Sequence, residues 1–406
     1  MVARGLIACP HCDTLHDRVD LAARGRALCR CCGTLLYRQG VLDLRAWTAM
    51  ALATLVIFII AQGFPIVSIE LQGRNVNVTY WQALLFTWNQ GHWLLSIMTG
   101  LFGFWFPLFK IVLTIWALRC ISTRRIPGDF TLGLRILRFI TPWSMASVLV
   151  LALFVAIVKF ADMASLHIEP GMLGFFLLTF FLTGLGRLTA FDLWAHAEQA
   201  GLVEVSGARG QGYSCHTCAC VQPAQPDGHC LRCGASLHRR HGDVGARVWA
   251  LIIAASIVYI PANILPMMRI QSVLGVSDHT ILGGVIELWQ TGSWDLAVIV
   301  FVASIVVPIT KLLALAVLML FQRPRGTRIQ RQRTRLYEMV EFIGQWSMLD
   351  VFVVILMGAM ANFPGLMLII PGPGALSFGG VVVLTMWAAM SYDPRLGWDR
   401  LGSSDR

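Results

Sequence analysis

Eight mostly apolar stretches alternate with polar segments along the chain, at roughly 46–66, 93–118, 143–162, 172–193, 246–267, 295–321, 344–363 and 375–391. A membrane-crossing helix needs about 20 such residues, so the pattern predicts a polytopic α-helical membrane protein with eight transmembrane helices. Two of the polar connections have a different rhythm. VSIELQGRNVNVTYW (67–81) alternates about a glycine turn and predicts a β-hairpin, and MRIQSVLGVSDHTI (268–281) reads the same way. LLFTWNQGHW and VIELWQTGSW follow them and read as interfacial helices, with tryptophan at headgroup level.

The pattern repeats. At an offset of 201, Cys29 and Cys32 fall on Cys230 and Cys233, and Pro65 falls on Pro266. Trp88, Gly91 and Trp93 meet Trp289, Gly292 and Trp294, while Pro107 and Lys110 meet Pro308 and Lys311. At 203, Trp143-Ser144-Met145 meets Trp346-Ser347-Met348, and Pro170-Gly171 meets Pro373-Gly374. So many matches at nearly one offset predict an internal repeat. Each unit is a Cys-rich module followed by four helices; four is even, so the two units insert in parallel. The expected domains are 1–42 and 197–242 (linker included in the second) for the modules, 43–196 and 243–396 for the helices, and a tail at 397–406.

Composition agrees: 56% of residues are hydrophobic and 13% charged, with a mean hydropathy of +0.67. Charge then sets orientation. Of 32 Lys and Arg, 27 fall in 1–45, 119–138, 187–247, 322–340 and 395–406, all on one side of an eight-helix zigzag. The positive-inside rule places that side, with both termini, in the cytoplasm. The first 45 residues are polar, Arg-rich and Cys-rich, so no cleavable signal is expected and the N-terminus belongs to the mature protein. The net charge of +10 is a topology signal and implies no nucleic-acid binding. The arginine run Arg323, Arg325, Arg328, Arg331, Arg333 and Arg335 reads first as a topology anchor and second as an acidic-lipid contact.

Cys9-Pro10-His11-Cys12 and Cys29-Arg30-Cys31-Cys32 are CxxC knuckles with 16 residues between them; Cys215-His216-Thr217-Cys218 and Cys230-Leu231-Arg232-Cys233 have 11. Paired knuckles at this spacing suit a tetrahedral four-cysteine zinc site. Modules of this size have too little core to fold alone, and zinc supplies about 10–16 kcal/mol. The reducing cytosolic side argues against structural disulfides. Redox dithiols are the alternative; Cys31 and Cys220 stand beside ligands as substitutes, and His11, His16 and His216 read as bystanders. Four cysteines per site leave no open position, so the two zinc ions are structural.

The chain has three lysines, and Lys110 and Lys311 occupy the same place in the second and sixth helices. A lysine within the bilayer costs about 2.5–3.5 kcal/mol and faces a partner, a cavity or, by snorkelling, the interface. For Lys311, Ser304 is seven residues earlier, and Asp350 with Ser347 lies at similar depth on the next helix. These residues predict a buried Ser304–Lys311–Ser347–Asp350 network. The first half has Ser147 in the place of Asp350 and its own Lys159 and Asp162, read equally as a surface ion pair or a functional one. Pro65 and Pro266 are expected to end or kink the first helix of each unit, and Pro107 and Pro308 to break the second.

No GxxxxGK[ST] or HExxH occurs, and no glycine precedes a lysine, so an ATP-hydrolysing P-loop is excluded and a conventional enzyme is not expected. Two CxxC…CxxC ribbons, each preceding four helices with Pro-x-x-Lys in the second and Trp-Ser-Met before the third, resemble the paraquat-inducible protein A family over essentially the whole chain. Ser391-Tyr392-Asp393-Pro394-Arg395 is similar too, whereas Ala190-Phe191-Asp192-Leu193-Trp194 departs after the aspartate. The resemblance implies tetraspanin-like four-helix repeats in the inner membrane, enclosing a periplasm-facing pocket. It also implies a partner of the periplasmic MCE-domain class forming a lipid tunnel. The family's polar network maps to Lys159, Asp162, Ser304, Lys311, Ser347 and Asp350. Loading or unloading phospholipid is the implied function, with proton coupling as a further expectation; a zinc-ribbon scaffold and a small-molecule exporter are the alternatives.

Overall fold

The structure is a computed structural model. It describes all residues except 1–4, 20, 23–24, 39–41, 72–73, 162–164, 204–212, 224–226, 238–242, 273–274, 291, 293, 321–325, 345–347, 362–366 and 400–406. For 70, 71, 74–76, 159–161, 165, 166, 272, 296 and 367 it describes the backbone alone.

The chain opens with two small antiparallel hairpins, β1 (Leu6–Ala8) with β2 (Leu15–Asp17) and β3 (Arg26–Leu28) with β4 (Leu35–Arg38). Helix α1 (Leu44–Gly63) follows, apolar on all sides. Such a helix cannot sit at a water-facing surface. Next come strands β5 (Val67–Leu71) and β6 (Arg74–Val78), then α2 (Tyr80–Asn89) and α3 (Trp93–Gly100). Beyond them lie α4 (Phe106–Ser122), α5 (Phe130–Ile140), α6 (Ala146–Ala161), β7 (Ser165–Ile168), α7 (Pro170–Leu185) and α8 (Ala190–Gln199).

The second half opens with the strand pair β8 (Tyr213–Ser214) and β9 (Val221–Gln222). It then runs through α9 (Val244–Ile264), β10 (Met268–Ser272), β11 (Gly275–His279), α10 (Ile281–Gln290), α11 (Trp294–Phe301) and α12 (Val307–Leu320). It ends with α13 (Thr327–Gly344), α14 (Leu349–Met360), β12 (Met367–Pro371), α15 (Pro373–Ser391) and α16 (Arg395–Asp399). Among the described residues, seven helical spans are long and apolar enough to cross a membrane, and the pair α7–α8 makes up to eight. The protein is a multi-pass membrane protein.

Each expected hairpin forms and gains a third strand, in the orders β6-β5-β7 and β11-β10-β12. The repeated Pro65/Pro266 and Pro-Gly pairs explain one another. Gly171 donates its backbone N–H to the carbonyl of Pro65 at 2.9 Å, and Gly374 donates to Pro266 at 3.0 Å. A Cβ on Gly171 would lie 2.4 Å from the Pro65 oxygen, and one on Gly374 2.8 Å from the Pro266 oxygen. The first and fourth helices of each half therefore close at a point that admits only glycine.

Three expectations need correction. Pro107 and Pro308 do not break their helices: a π-helical turn precedes each, at Leu101–Trp105 and Val302–Val306, and helix continues beyond it. The wider turn accommodates a residue that has no N–H to give. The fourth span does not run straight from 172 to 193. It stops at Leu185, and α8 turns away by 52° because Thr189 and Asp192 form a capping box that starts a new helix. The seventh helix is not one apolar rod either, since the Arg-rich α13 leads into the short α14 within one span.

All twelve residues of α14 are buried, packed on α6 and α2 of the other half. Helix α14 is the centre of the molecule, and the Cys-rich hairpins and the three-stranded sheets lie at opposite ends.

Candidate functional site

In the first module the Sγ atoms of Cys9, Cys12, Cys29 and Cys32 lie within 4.8 Å of one another, as do those of Cys215, Cys218, Cys230 and Cys233 in the second. The turn after each knuckle is made by a residue at positive φ: Asp13, Gly33, Ala219 and Gly234. Each of these donates its N–H back to the first cysteine's carbonyl, which turns both sulfurs of the pair inward. Cross-knuckle Sγ···Sγ distances are 3.4 Å for Cys9–Cys32 and Cys12–Cys29, 3.5 Å for Cys215–Cys233 and 3.6 Å for Cys218–Cys230. A disulfide would need about 2.05 Å, whereas thiolates about 2.3 Å from one tetrahedral ion stand about 3.8 Å apart. The donor sets thus fit a metal ion.

Cys31 and Cys220 are buried outside these quartets, and the histidines are not members of them. His11 Nδ1 lies 3.1 Å from Thr34 Oγ1 and from Glu338, and His16 Nε2 lies 3.3 Å from Cys29 Sγ. His216 meets Arg395 at 3.3 Å. Burial, reinforced by Arg395, pushes the His216 imidazole down to about 4, so it is neutral and its Nε2 accepts from the guanidinium.

The modules dock in a crossed arrangement. The N-terminal one rests on the second half: Arg331 of α13 donates to the carbonyls of Cys31 at 2.5 Å and Arg30 at 3.1 Å, and Thr34 meets Glu338 at 3.1 Å. Arg395 donates to Pro10 O at 2.9 Å and pairs with Asp13 at 3.4 Å, while the fully buried Trp398 packs with the first cysteine quartet. The second module, although it directly precedes α9, rests on the first half. Arg135 of α5 donates to Cys233 O at 3.2 Å, and Glu198 of α8 pairs with Arg232 at 3.0 Å.

Lys110 and Lys311 are both buried within the protein, 9% and 2% exposed, and each ends at a helix C-terminus. Lys110 Nζ lies beside Gly186 at the end of α7, and Lys311 Nζ beside Gly344, the last residue of α13. Carbonyls at such an end carry partial negative charge that favours a cation. The expected ion pair with Asp350 is not made: Lys311 Nζ has no hydrogen-bond partner among the described residues. Counting along the helices gives the reason. Ser304 is seven residues before Lys311, about 10.5 Å along the axis, and lines a cavity together with Asp350, whereas Lys311 Nζ sits beside Gly344. The polar residues therefore form two layers. Ser347, Asp162 and the Lys159 side chain lie outside the described residues.

The outer layer lines a cavity of about 50 Å³ near the three-stranded sheet. Asp350 and Ser304 meet His279 and Thr280 there, with apolar walls that include Met267 and Ile281. Ser304 Oγ donates to its own helix at Val300 O, 2.6 Å away, leaving its lone pairs towards other donors. His279 Nδ1 lies 3.0 Å from Glu287.

The two halves differ at this place. In the first, Tyr80 stands where Ile281 does, and Gly103 where Ser304 does. The Tyr80 ring is 1% exposed and its hydroxyl donates to Thr99 O at 2.8 Å, beside the π turn. A Cβ at Gly103 would collide with that hydroxyl. The first half is filled by a phenol; in the second, isoleucine replaces it. His279, Thr280 and Ile281 were missed by a search for intramembrane charge, but aligning Tyr80 with Ile281 and Gly103 with Ser304 at the offset of 201 would have found the difference.

The profile of the family described as paraquat-inducible protein A matches twice, over residues 44–198 and 246–402. The chain is 32% identical over 98% of its length to the intermembrane transport protein PqiA of Escherichia coli K12, covering 97% of that protein. It is 28% identical to the lipophilic envelope-spanning tunnel protein A of the same organism, over 96% of this chain and 90% of the other. A probable intermembrane transport protein of Haemophilus influenzae is 27% identical over 97% of this chain and 95% of its own. No solved structure matches. The two profile matches, over more than half of the residues, and the full-length likeness establish that the chain belongs to the paraquat-inducible protein A family.

Proposed function

We propose that this protein is the inner-membrane component of a lipid-transport system, loading phospholipid into, or unloading it from, a periplasmic MCE-domain tunnel. In this reading eight spans form two parallel, tetraspanin-like four-helix repeats, with both termini and two zinc-bound ribbons in the cytoplasm and the sheets in the periplasm. The observation that carries it is the cavity around Asp350, on the sheet side of a chain related along its whole length to intermembrane transport proteins. Because the cavity is only about 50 Å³, a headgroup fragment fits it and a whole lipid does not. Acyl chains would stay between the helices and the bilayer, and transfer would need the second half to open.

The test is reconstitution of the full chain in donor vesicles with a purified MCE-domain protein, following labelled phospholipid passing to the partner. Transfer that needs both proteins supports the reading, and equal transfer from vesicles lacking the chain refutes it. Asp350→Asn addresses coupling: unchanged transfer across a proton gradient removes proton coupling and leaves lipid transfer standing. The docked ribbons favour one second reading, a scaffold that assembles the complex without moving lipid. In that case cavity substitutions are silent and a Cys→Ser change in either ribbon abolishes assembly.

A further inference from the structure

We infer that the outer face of the β3–β4 hairpin, in the N-terminal module, docks on anionic phospholipid headgroups in the leaflet on the modules' side of the membrane. The inference goes beyond the transport reading and does not rest on it.

Position argues first, because the hairpin is tied to the ends of several spans. Arg38, at the end of β4, donates to the carbonyl of Arg187 at 3.1 Å, two residues past the end of α7. At the hairpin's tip, Arg331 of α13 donates to the carbonyls of Cys31 and Arg30. Two residues on, Arg333 donates to Leu318 O at 2.6 Å, so this part of α13 is level with the last turn of α12, which ends at Leu320. Helix α1 begins its span at Leu44, six residues after Arg38. The hairpin therefore sits where the apolar spans stop, at headgroup depth.

Side-chain chemistry argues second. Inward, Leu36 packs against the first cysteine quartet and Trp398. The outer face presents two cross-strand pairs, Leu28 opposite Leu35 and Arg26 opposite Arg38, all four exposed. A leucine pair at 57% and 44% exposure gains by leaving water, and like charges directly opposite each other are destabilising. From Arg26 to Arg38 the chain holds three arginines and no acid. Of the module's described acids, Asp13 faces Arg395 and Asp17 lies in the other hairpin. An anionic headgroup layer removes both penalties at once: phosphates bridge the guanidiniums, and the leucines reach the acyl boundary. Arg328 and Arg335, exposed on α13, extend the same charge. The second module is the internal contrast. At the offset of 201 its bridge His229–Ser236 stands where Leu28–Leu35 does, and Asp227 where Arg26 does.

The experiment uses the zinc-loaded full chain in nanodiscs of phosphatidylcholine, alone or mixed with phosphatidylglycerol, and follows amide hydrogen exchange by mass spectrometry. Each arginine near an anionic surface contributes about a fivefold factor. Exchange across residues 26–38 is therefore expected to slow at least about fivefold with phosphatidylglycerol and to recover in high salt, while 213–222 stays unchanged. Leu28→Ser with Leu35→Ser, and separately Arg26→Gln, are expected to remove most of that protection while both zinc equivalents stay bound. Photo-crosslinking by a phosphatidylglycerol with a diazirine beside its headgroup needs no variant: a mark on 26–38 is expected, and an unmarked hairpin overturns the proposal. Equal exchange in the two bilayers, protection shared by 213–222, or protection that survives in zinc-retaining variants would also overturn it. Protection by soluble polyglutamate, with none from phosphatidylglycerol, would assign the face to an acidic protein and equally overturn it. None of these outcomes bears on lipid transfer, which the reconstitution above tests separately.

Discussion

Replacing Arg395 by alanine tests the crossed docking directly. The side chain is about nine-tenths buried, donates to Pro10 O at 2.9 Å, pairs with Asp13 at 3.4 Å and meets His216 at 3.3 Å. It therefore ties the N-terminal ribbon, the second ribbon and α16 together. Breaking a buried charged contact costs about 3–5 kcal/mol. Asp13 is 23% exposed, so water recovers part of that, and about 2–3 kcal/mol is the reasonable figure. At 1.4 kcal/mol per decade this shifts ribbon docking by about 30–150-fold. The assay is release of zinc from the zinc-loaded full-length protein into a chelating dye, with Cys9→Ser and Cys215→Ser identifying the two equivalents. Arg395→Ala is expected to release metal faster, with Arg395→Lys intermediate. The paired variants carry the crossing itself: Arg331→Ala should loosen the ribbon-1 equivalent, and Arg135→Ala the ribbon-2 equivalent. Wild-type release of both equivalents in all of these variants, or the opposite assignment, would refute the reasoning.

Each cysteine quartet should hold one metal ion: Cys12→Ser or Cys218→Ser is expected to remove one of two bound zinc equivalents, counted by elemental analysis. Gly171→Ala, whose Cβ would sit 2.4 Å from the Pro65 oxygen, should cost about 1–3 kcal/mol of thermal stability in detergent. Gly63, with nothing within 4 Å, should accept alanine without a comparable loss. Tyr80→Phe keeps the ring but strands the Thr99 carbonyl, an expected loss of about 1–3 kcal/mol measured the same way.

Much of the plan is local and so legible in the chain. A run of about 20 apolar residues must be a membrane span whatever surrounds it. Four cysteines in two knuckles make a metal quartet because the turn aims both sulfurs inward, and the structure brings together the eight cysteines expected. Alternation about a glycine gave the hairpins, though not their third strands, whose pairing across about 100 residues leaves no local mark. The offset of 201 marked the matched prolines and lysines.

Tertiary structure decided what depends on relative position. Sequence distance from a charged loop measured the depth of Asp350 poorly: the acid lines the cavity with Ser304, while Lys311 Nζ ends beside Gly344, the last residue of α13. Adjacency along the chain suggested that each ribbon serves the bundle after it; the contacts of Arg331, Arg135 and Arg395 cross that order. Whether the place is a cavity or solid packing in each half goes with one side chain, Tyr80 against Ile281, and with what its ring can reach. Patterning fixes which segments enter the membrane because burial is a property of each segment. Contacts between segments depend on depth, rotation and the shape of neighbours, which only the assembled bundle sets.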